Sequence, residues 1–208
     1  MADLQALTAA IEAGDRTTAV RVTGEAIADG LAPQTILDAM TAAMATTGAR
    51  FSANEIYVPE MLISARAMKE AAALLEPVLV KAEIKPIATA VIGTVKGDLH
   101  DIGKNLVAMM WRGANIEVVD LGVDVPAERF VDAAREHGAS IVGVSALLTT
   151  TMVGMRGVIT AIRAADLGDV RVVVGGAPVT QEFAAQIGAD GCATDAARAV
   201  DLVRGFVH

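Results

Sequence analysis

Two hydrophobic periodicities divide the chain. Up to about residue 75, apolar side chains recur at helical spacing with almost no strand-like run. Leu4, Leu7, Ala10 and Ile11 mark one helix, and Gly14-Asp15 supplies a stop and then a new cap. A second helix is predicted from about Arg16 to Ala28, ended by Asp29-Gly30. Pro33 suits the first turn of a third, whose face is Ile36, Leu37, Met40, Ala43, Met44 and Thr47. Gly48 and the polar run Ser52-Ala53-Asn54 are expected to break it. A fourth starts near Pro59 and buries Met61, Leu62, Ala65, Met68, Ala72 and Leu75. Four short amphipathic helices with short connections make a small bundle over residues 1–75.

From Pro86 the pattern changes. Apolar, β-branched runs of strand length, Ile87–Gly93, Ile116–Leu121, Ile141–Leu147 and Val170–Val174, alternate with stretches of helical spacing. Those stretches lie near Gly103–Trp111, Ala127–His137, Met152–Ala164 and Thr180–Ile187. A weaker strand at Gly191–Ala193 and a helix from Asp195 to Arg204 finish the chain. Strands apolar on both faces belong to a parallel sheet covered on each side by helices. Five βα units over residues 86–208 predict an α/β domain with a doubly wound, five-stranded parallel sheet, which binds ligands beyond the carboxyl ends of its strands. Glu76–Lys85, bracketed by Pro77 and Pro86, is the natural linker.

Composition narrows the function classes. Apolar residues make up 53% of the 208, charged residues 20% and aromatic residues 3%, which excludes disorder and calls for cores of Ala, Val, Leu, Ile and Met. The net charge is −8 with no run of Lys or Arg, so no basic surface is available for nucleic acid. No apolar run reaches the roughly 18 residues of a membrane helix. Asp3 stands where a signal peptide needs positive charge. A single cysteine, Cys192, cannot form an internal disulfide and fits a reducing compartment. A soluble, cytoplasmic protein without membrane or nucleic-acid partners is expected.

The chemistry concentrates where the first strand ends, in Gly93-Thr-Val-Lys-Gly-Asp-Leu-His-Asp-Ile-Gly-Lys-Asn105. A dinucleotide fingerprint is absent here, and Gly103-Lys104 followed by Asn105 is not a Walker loop. The loop offers a histidine, His100, between the carboxylates of Asp98 and Asp101. A carboxylate on the far ring nitrogen fixes the tautomer and strengthens the near nitrogen as a metal donor. Two plainer readings stand beside it: a solvated loop histidine, and Asp98 or Asp101 as a cap of the following helix. A zinc site of three or four protein ligands lacks its residues, since only His100, His137, His208 and the lone Cys192 are present. If His100 binds a metal, most of the coordination sphere has to come from elsewhere, as from a macrocycle that fills four positions by itself.

Asp98-Leu99-His100-Asp101-Ile102-Gly103 matches the D-x-H-x-x-G motif of cobalamin-binding domains. Ser145-Ala146-Leu147 matches their S-x-L element, and Gly175-Gly176 their glycine pair. The helical half, through Phe51 and Tyr57-Val58-Pro59-Glu60-Met61, resembles the cap module of cobalamin-dependent methionine synthase and of small corrinoid proteins of methyltransferase systems. The resemblance spans nearly the whole chain and implies a helical cap followed by a flavodoxin-like, Rossmann-like domain.

It also implies roles. His100 is the lower cobalt ligand in place of the cofactor's own benzimidazole, and Asp98 bonds its far nitrogen, with Gly97, Leu99, Asp101 and Gly103 completing the loop. Ser145 contacts the displaced nucleotide tail, Leu147 completes that element, and Gly175 and Gly176 leave room for the tail. Thr151 stands where methionine synthase carries a relay serine, Thr149 matches another cofactor-contacting hydroxyl, and Ala193 lies near the tail. Phe51 and Val58 cover the upper face of the corrin. In one departure, Leu37 aligns with an acidic cap residue of methionine synthase.

The implied function is a carrier that shuttles a methyl group on cobalt, with cobalamin (methylcobalamin or a related corrinoid) as cofactor. Its expected partners are a substrate-specific methyltransferase, an acceptor methyltransferase acting on tetrahydrofolate or a thiol, and a reductive activase. Three alternatives share features with it: a cobalamin sensor or storage module, the small subunit of an adenosylcobalamin mutase, and a cofactor-free flavodoxin-like signalling domain. No basic recognition helix supports a DNA-linked sensor, the cap module argues against a mutase, and a signalling domain leaves the three-part motif unexplained.

Overall fold

The computed structural model describes residues 2–207, and its backbone divides into two compact units. One comprises Met1–Pro86 with Gly113–Asn115, the other Ile87–Arg112 with Ile116–His208.

The first unit holds four helices, α1 Leu4–Ala13, α2 Arg16–Ala28, α3 Pro33–Ser52 and α4 Val58–Lys81. Asp3 caps α1 by accepting from the Gln5 and Ala6 N–H groups, and Gly14 closes it in the left-handed region. Leu7, Ile11, Ile36, Met40, Met44, Met61 and Leu75 are buried to below 2% exposure, an aliphatic and methionine-rich core that needs no rings. Leu37, at 4%, belongs to the same core, which accounts for an apolar residue there.

Three expectations change. Gly48 does not end α3, which runs on to Ser52 with Thr47 and Gly48 both buried. A helix-interior glycine costs only about 1 kcal/mol, too little to stop a helix packed along its face. The linker also starts later than Glu76: α4 continues through Pro77, whose ring is exposed, to Lys81, and the non-helical stretch is 82–87. Proline removes one backbone donor and bends a helix without having to end it. Leu62 is 42% exposed, because the buried stripe of α4 runs through Met61, Ser64, Ala65, Met68, Ala71 and Leu75 and leaves it off-axis.

The second unit alternates β1 Ala88–Thr94, α5 Ile102–Gly113, β2 Ile116–Asp120, α6 Ala127–Glu136, β3 Ile141–Ser145, α7 Thr149–Met152, α8 Gly154–Ala164, β4 Arg171–Gly175, α9 Gln181–Ile187, β5 Gly191–Ala193 and α10 Ala196–Phe206. All pairings are parallel, in the order β2-β1-β3-β4-β5. The chain leaves β1 for one side of the sheet and returns on the other, so the switch point lies between β1 and β3.

One face of the sheet packs Val91, Val142, Val144, Val172 and Val174 against Phe130, Met155, Ile159, Ile162 and Ile187. On the other, the buried Trp111 of α5 lies over Gly143, where a Cβ would come within 2.7 Å of the indole, and its Nε1 donates to Ala199 O of α10 at 3.0 Å. Small residues on this face let α5 and α10 approach the sheet. Register aligns Thr94, Ser145, Gly175 and Ala193 as one row across four strands at the carboxyl edge.

Candidate functional site

The loop between β1 and α5 folds around a carboxylate. Asp98 is fully buried and accepts four hydrogen bonds. Its Oδ1 accepts from the His100 N–H at 3.0 Å and from His100 Nδ1 at 2.7 Å; its Oδ2 accepts from the Leu147 N–H at 2.8 Å and from Thr151 Oγ1 at 2.6 Å. Three of the segments singled out in the sequence, the histidine motif, the S-x-L element and Thr151, thus meet on one side chain. Burial pushes the Asp98 carboxyl up, but the bonds from Thr151, the His100 and Leu147 N–H groups and the His100 ring outweigh it and hold the group well below the usual carboxylate range. Asp98 caps no helix; it joins the exits of β1 and β3.

An ionised carboxylate only accepts, so Nδ1 of His100 carries the proton and Nε2 the lone pair. The imidazole is half-exposed while its partner is buried. Thr94 Oγ1 donates to the His100 carbonyl at 3.0 Å, tying the loop to the end of β1. Asp101 accepts from Asn105 Nδ2 at 3.0 Å, and Gly103 lies exposed in the first turn of α5. Around the histidine's edge of the sheet stand exposed apolar side chains: Leu99 at 72%, Ile102 at 73%, Val153 at 63%, Leu147 at 43% and Leu148 at 42%. A polar loop ringed by open aliphatic groups suits a flat, largely apolar ligand.

The remaining expected residues occupy the same edge. Ser145 ends β3, half-buried, and its carbonyl accepts from Val95 N–H at 3.0 Å; Thr149 opens α7, exposed. Gly175 and Ala193 lie beside Ser145 in the transverse row. Gly176 has φ +137°, and a Cβ there would fall 1.8 Å from Ala146 O. The protein's own backbone therefore demands glycine at 176, whatever lies above it. Phe51 ends up in the last turn of α3 and Val58 in the first of α4, both half-buried in their own unit.

Sequence reasoning passed over Lys104, Asp120 and Asp124. Lys104 is buried, with Nζ 2.6 Å from each Asp120 oxygen and 2.7 Å from Asn105 Oδ1. Its spacing from the buried Ala108 and Trp111 was the available signal, since a lysine on the apolar stripe of a helix needs a partner. Asp124, at φ +55°, accepts from Gly97 N–H at 2.7 Å and donates its own N–H to Asp98 O at 3.0 Å.

Among the described residues no group of three or more His, Cys, Asp or Glu side chains gathers to hold a metal ion. His137 sits at the end of α6, Cys192 is buried in β5, and His208 lies outside the described residues. A metal held by His100 therefore has one protein ligand, which fits a cobalt whose macrocycle provides four others. Among the described residues no helix is long and apolar enough to cross a membrane.

Comparison with known proteins agrees. Residues 88–203 match the family described as B12 binding domain, and residues 3–76 match a second family of the same description. A corrinoid protein of Desulfitobacterium hafniense is 39% identical over 97% of this chain and 96% of its own length. Trimethylamine corrinoid protein 1 of Methanosarcina acetivorans is 40% identical, with 93% and 91% covered. A chain of the methanol:cobalamin methyltransferase complex MtaBC of Methanosarcina barkeri superposes with a TM-score of 0.86 at 29% identity, covering 98% of this chain and 79% of that one. Both the shared edge of the sheet and these full-length matches lead to one conclusion: the chain belongs to the B12-binding family and is a corrinoid-binding protein.

Proposed function

We propose that the chain is a methyl-carrying corrinoid protein that serves a substrate-specific methyltransferase on one side and an acceptor methyltransferase, using tetrahydrofolate or a thiol, on the other. When bound, the corrinoid supplies the cobalt chemistry of methyl transfer. The chain's own residues hold and orient the cofactor. His100 would hold the cobalt through Nε2, and Asp98 keeps the proton on Nδ1, which would raise the donor strength of the ring. Thr151 and the Leu147 N–H keep Asp98 ionised and in place. The exposed Leu99, Ile102, Leu147, Leu148 and Val153 would pack against the bound ring and keep water from it. Ser145, Gly175 and Ala193, in one row at the carboxyl edge, would line the floor for the nucleotide tail, and the exposed Thr149 would offer it a hydroxyl. The roles of Phe51 and Val58 at the upper face rest on the family resemblance, as does a reductive activase as third partner.

The observation that supports this most is the buried Asp98 with its four donors, one of them the ring of the lone histidine at the switch point. The test uses protein labelled with 15N-histidine and loaded with hydroxocobalamin, then reduced to the Co(II) form. We expect the cofactor to stay bound through desalting and the labelled histidine to alter the superhyperfine multiplicity in electron paramagnetic resonance. H100A should abolish that signature. A base-on spectrum unaffected by the label, with cofactor lost on desalting, overturns the reading.

A further inference from the structure

The histidine loop is held at both ends by one short segment, from the last residue of β2, Asp120, to Asp124. At the exit, Asp120 grips Lys104 through both oxygens at 2.6 Å, and its Oδ1 also accepts the Gly122 N–H at 2.9 Å. Lys104 reaches Asn105 Oδ1 as well, and Asn105 Nδ2 donates to Asp101, next to His100. At the entry, Asp124 grips the step Gly97-Asp98 twice, accepting the N–H of Gly97 and donating to the carbonyl of Asp98. The neighbouring bridge Val95↔Val125, with the Val125 N–H donating to Thr94 O at 2.9 Å, brings the two segments side by side.

Backbone conformation makes this grip specific. Asp124 has φ +55° and Gly97 φ +83°. Outside glycine, only Asn and Asp enter the left-handed region at small cost, because their short polar side chains bond locally. Asp124 is therefore a residue whose side-chain oxygen and backbone tolerance are both used. The four bonds converging on Asp98 have lengths of 2.6 to 3.0 Å, so a shift of the Asp98 backbone by a few tenths of an ångström disturbs them together.

We propose that Asp124 is a positioning residue for the cobalt-binding histidine: it fixes the Gly97-Asp98 step, and through the Asp98 carboxylate it sets the stance of the His100 ring. Only the cobalt half of this statement rests on the function proposed above. Asp124 acts through Asp98 and has no direct part in cofactor binding.

Three substitutions separate side chain from backbone. D124N keeps an acceptor oxygen and tolerates the left-handed backbone. D124G removes the acceptor without adding backbone strain, so its thermal midpoint should fall by less than that of D124A. D124A removes the acceptor and adds strain. In the apoprotein we expect D124G to speed hydrogen exchange at the Gly97 amide on the order of tenfold, the loss of one hydrogen bond. The 15N shifts of the His100 ring should move in the same variant. In the cobalamin-loaded Co(II) form, D124G should weaken the 15N-histidine coupling, and D124N should restore both readouts to wild-type values.

Wild-type Gly97 exchange and wild-type histidine coupling in D124G overturn the proposal. So does a D124N protein that behaves like D124G. If the wild type itself shows no histidine coupling, the corrinoid role of His100 fails instead, and the apoprotein readouts still decide whether Asp124 sets the ring. Should D124A not fold, D124G and D124N carry the comparison alone.

Discussion

The exits of β1 and β4 lie on one edge of the sheet and are ordered by opposite means. After β1 the chain is gathered by charge: Asp98 takes four donors, Lys104 and Asp120 pair, and Asp124 clasps the loop from outside. After β4 the backbone serves, with Ala146 N–H donating to Gly175 O at 3.2 Å and Val179 N–H to Gly176 O at 2.9 Å, and Gly176 passes so close to Ala146 O that no side chain fits. A polar network can be weakened by degrees and retuned by single substitutions. Steric exclusion is all or none. The adjustable device sits under His100, and the rigid one at the exit of β4.

Substitutions that attack each device should show this contrast. G176A forces backbone against backbone at a φ that L residues rarely adopt, and we expect a loss of about 4 kcal/mol or more, read from urea denaturation. A near-wild-type midpoint would mean that the β4 exit yields, and the contrast would collapse. The ion pair should respond asymmetrically. D120A strands the Lys104 ammonium, whose side chain is 2% exposed, and should cost about 3 kcal/mol. K104M leaves Asp120, 27% exposed and able to rehydrate, so less than half that loss is expected. Equal losses would show that the pair, rather than the buried charge, sets the cost.

D98N turns one acceptor into a donor facing donors, and about 2 kcal/mol should be lost in the apoprotein at neutral pH. The pH dependence has a definite sign. The Asp98 carboxyl lies below its ordinary 3.8 in the folded state, so below that pH the unfolded chain binds more protons than the native one. Its stabilisation is complete above 3.8 and fades as pH falls toward the depressed native value. Thermal midpoints of the apoprotein should therefore drop between pH 5 and 3 by more in the wild type than in D98N. Parallel curves would place the acid sensitivity elsewhere.

Smallest of all should be the changes at Thr151. T151V removes one of the four donors at nearly constant shape and should cost about 1 kcal/mol, while T151S keeps the hydroxyl and should stay within about 0.5 kcal/mol of wild type. Loss of as much stability in T151S as in T151V would assign the threonine's role to its methyl group.

Much of this was legible in the chain as written. Continuous apolar runs and period-3.6 patterns placed all five strands and nearly all helices of the second unit to within a few residues, since both faces of a buried parallel sheet demand apolar runs. The one-turn α7 escaped, four residues being too few for a period. Gly48 and Pro77 misled because breaker residues act weakly against a packed helix face. The histidine motif, Ser145 and the glycine pair stood out as types at strand ends, but their meeting on Asp98 did not, because Leu147 contributes a backbone N–H that has no residue signature.

The sequence by itself determined the division into a helical and an α/β half, the edge of the sheet that carries the candidate site, and His100 as the candidate metal donor. These follow from local pattern and from which residue types exist in the chain. Tertiary structure alone decided that Thr151 and the Leu147 N–H keep Asp98 ionised and that Asp124 clasps the loop. It also decided that the Ala146 carbonyl by itself requires glycine at 176. Each of these depends on backbone groups brought together across separate strands, and a backbone N–H or carbonyl is the same at every residue until the fold gives it a neighbour.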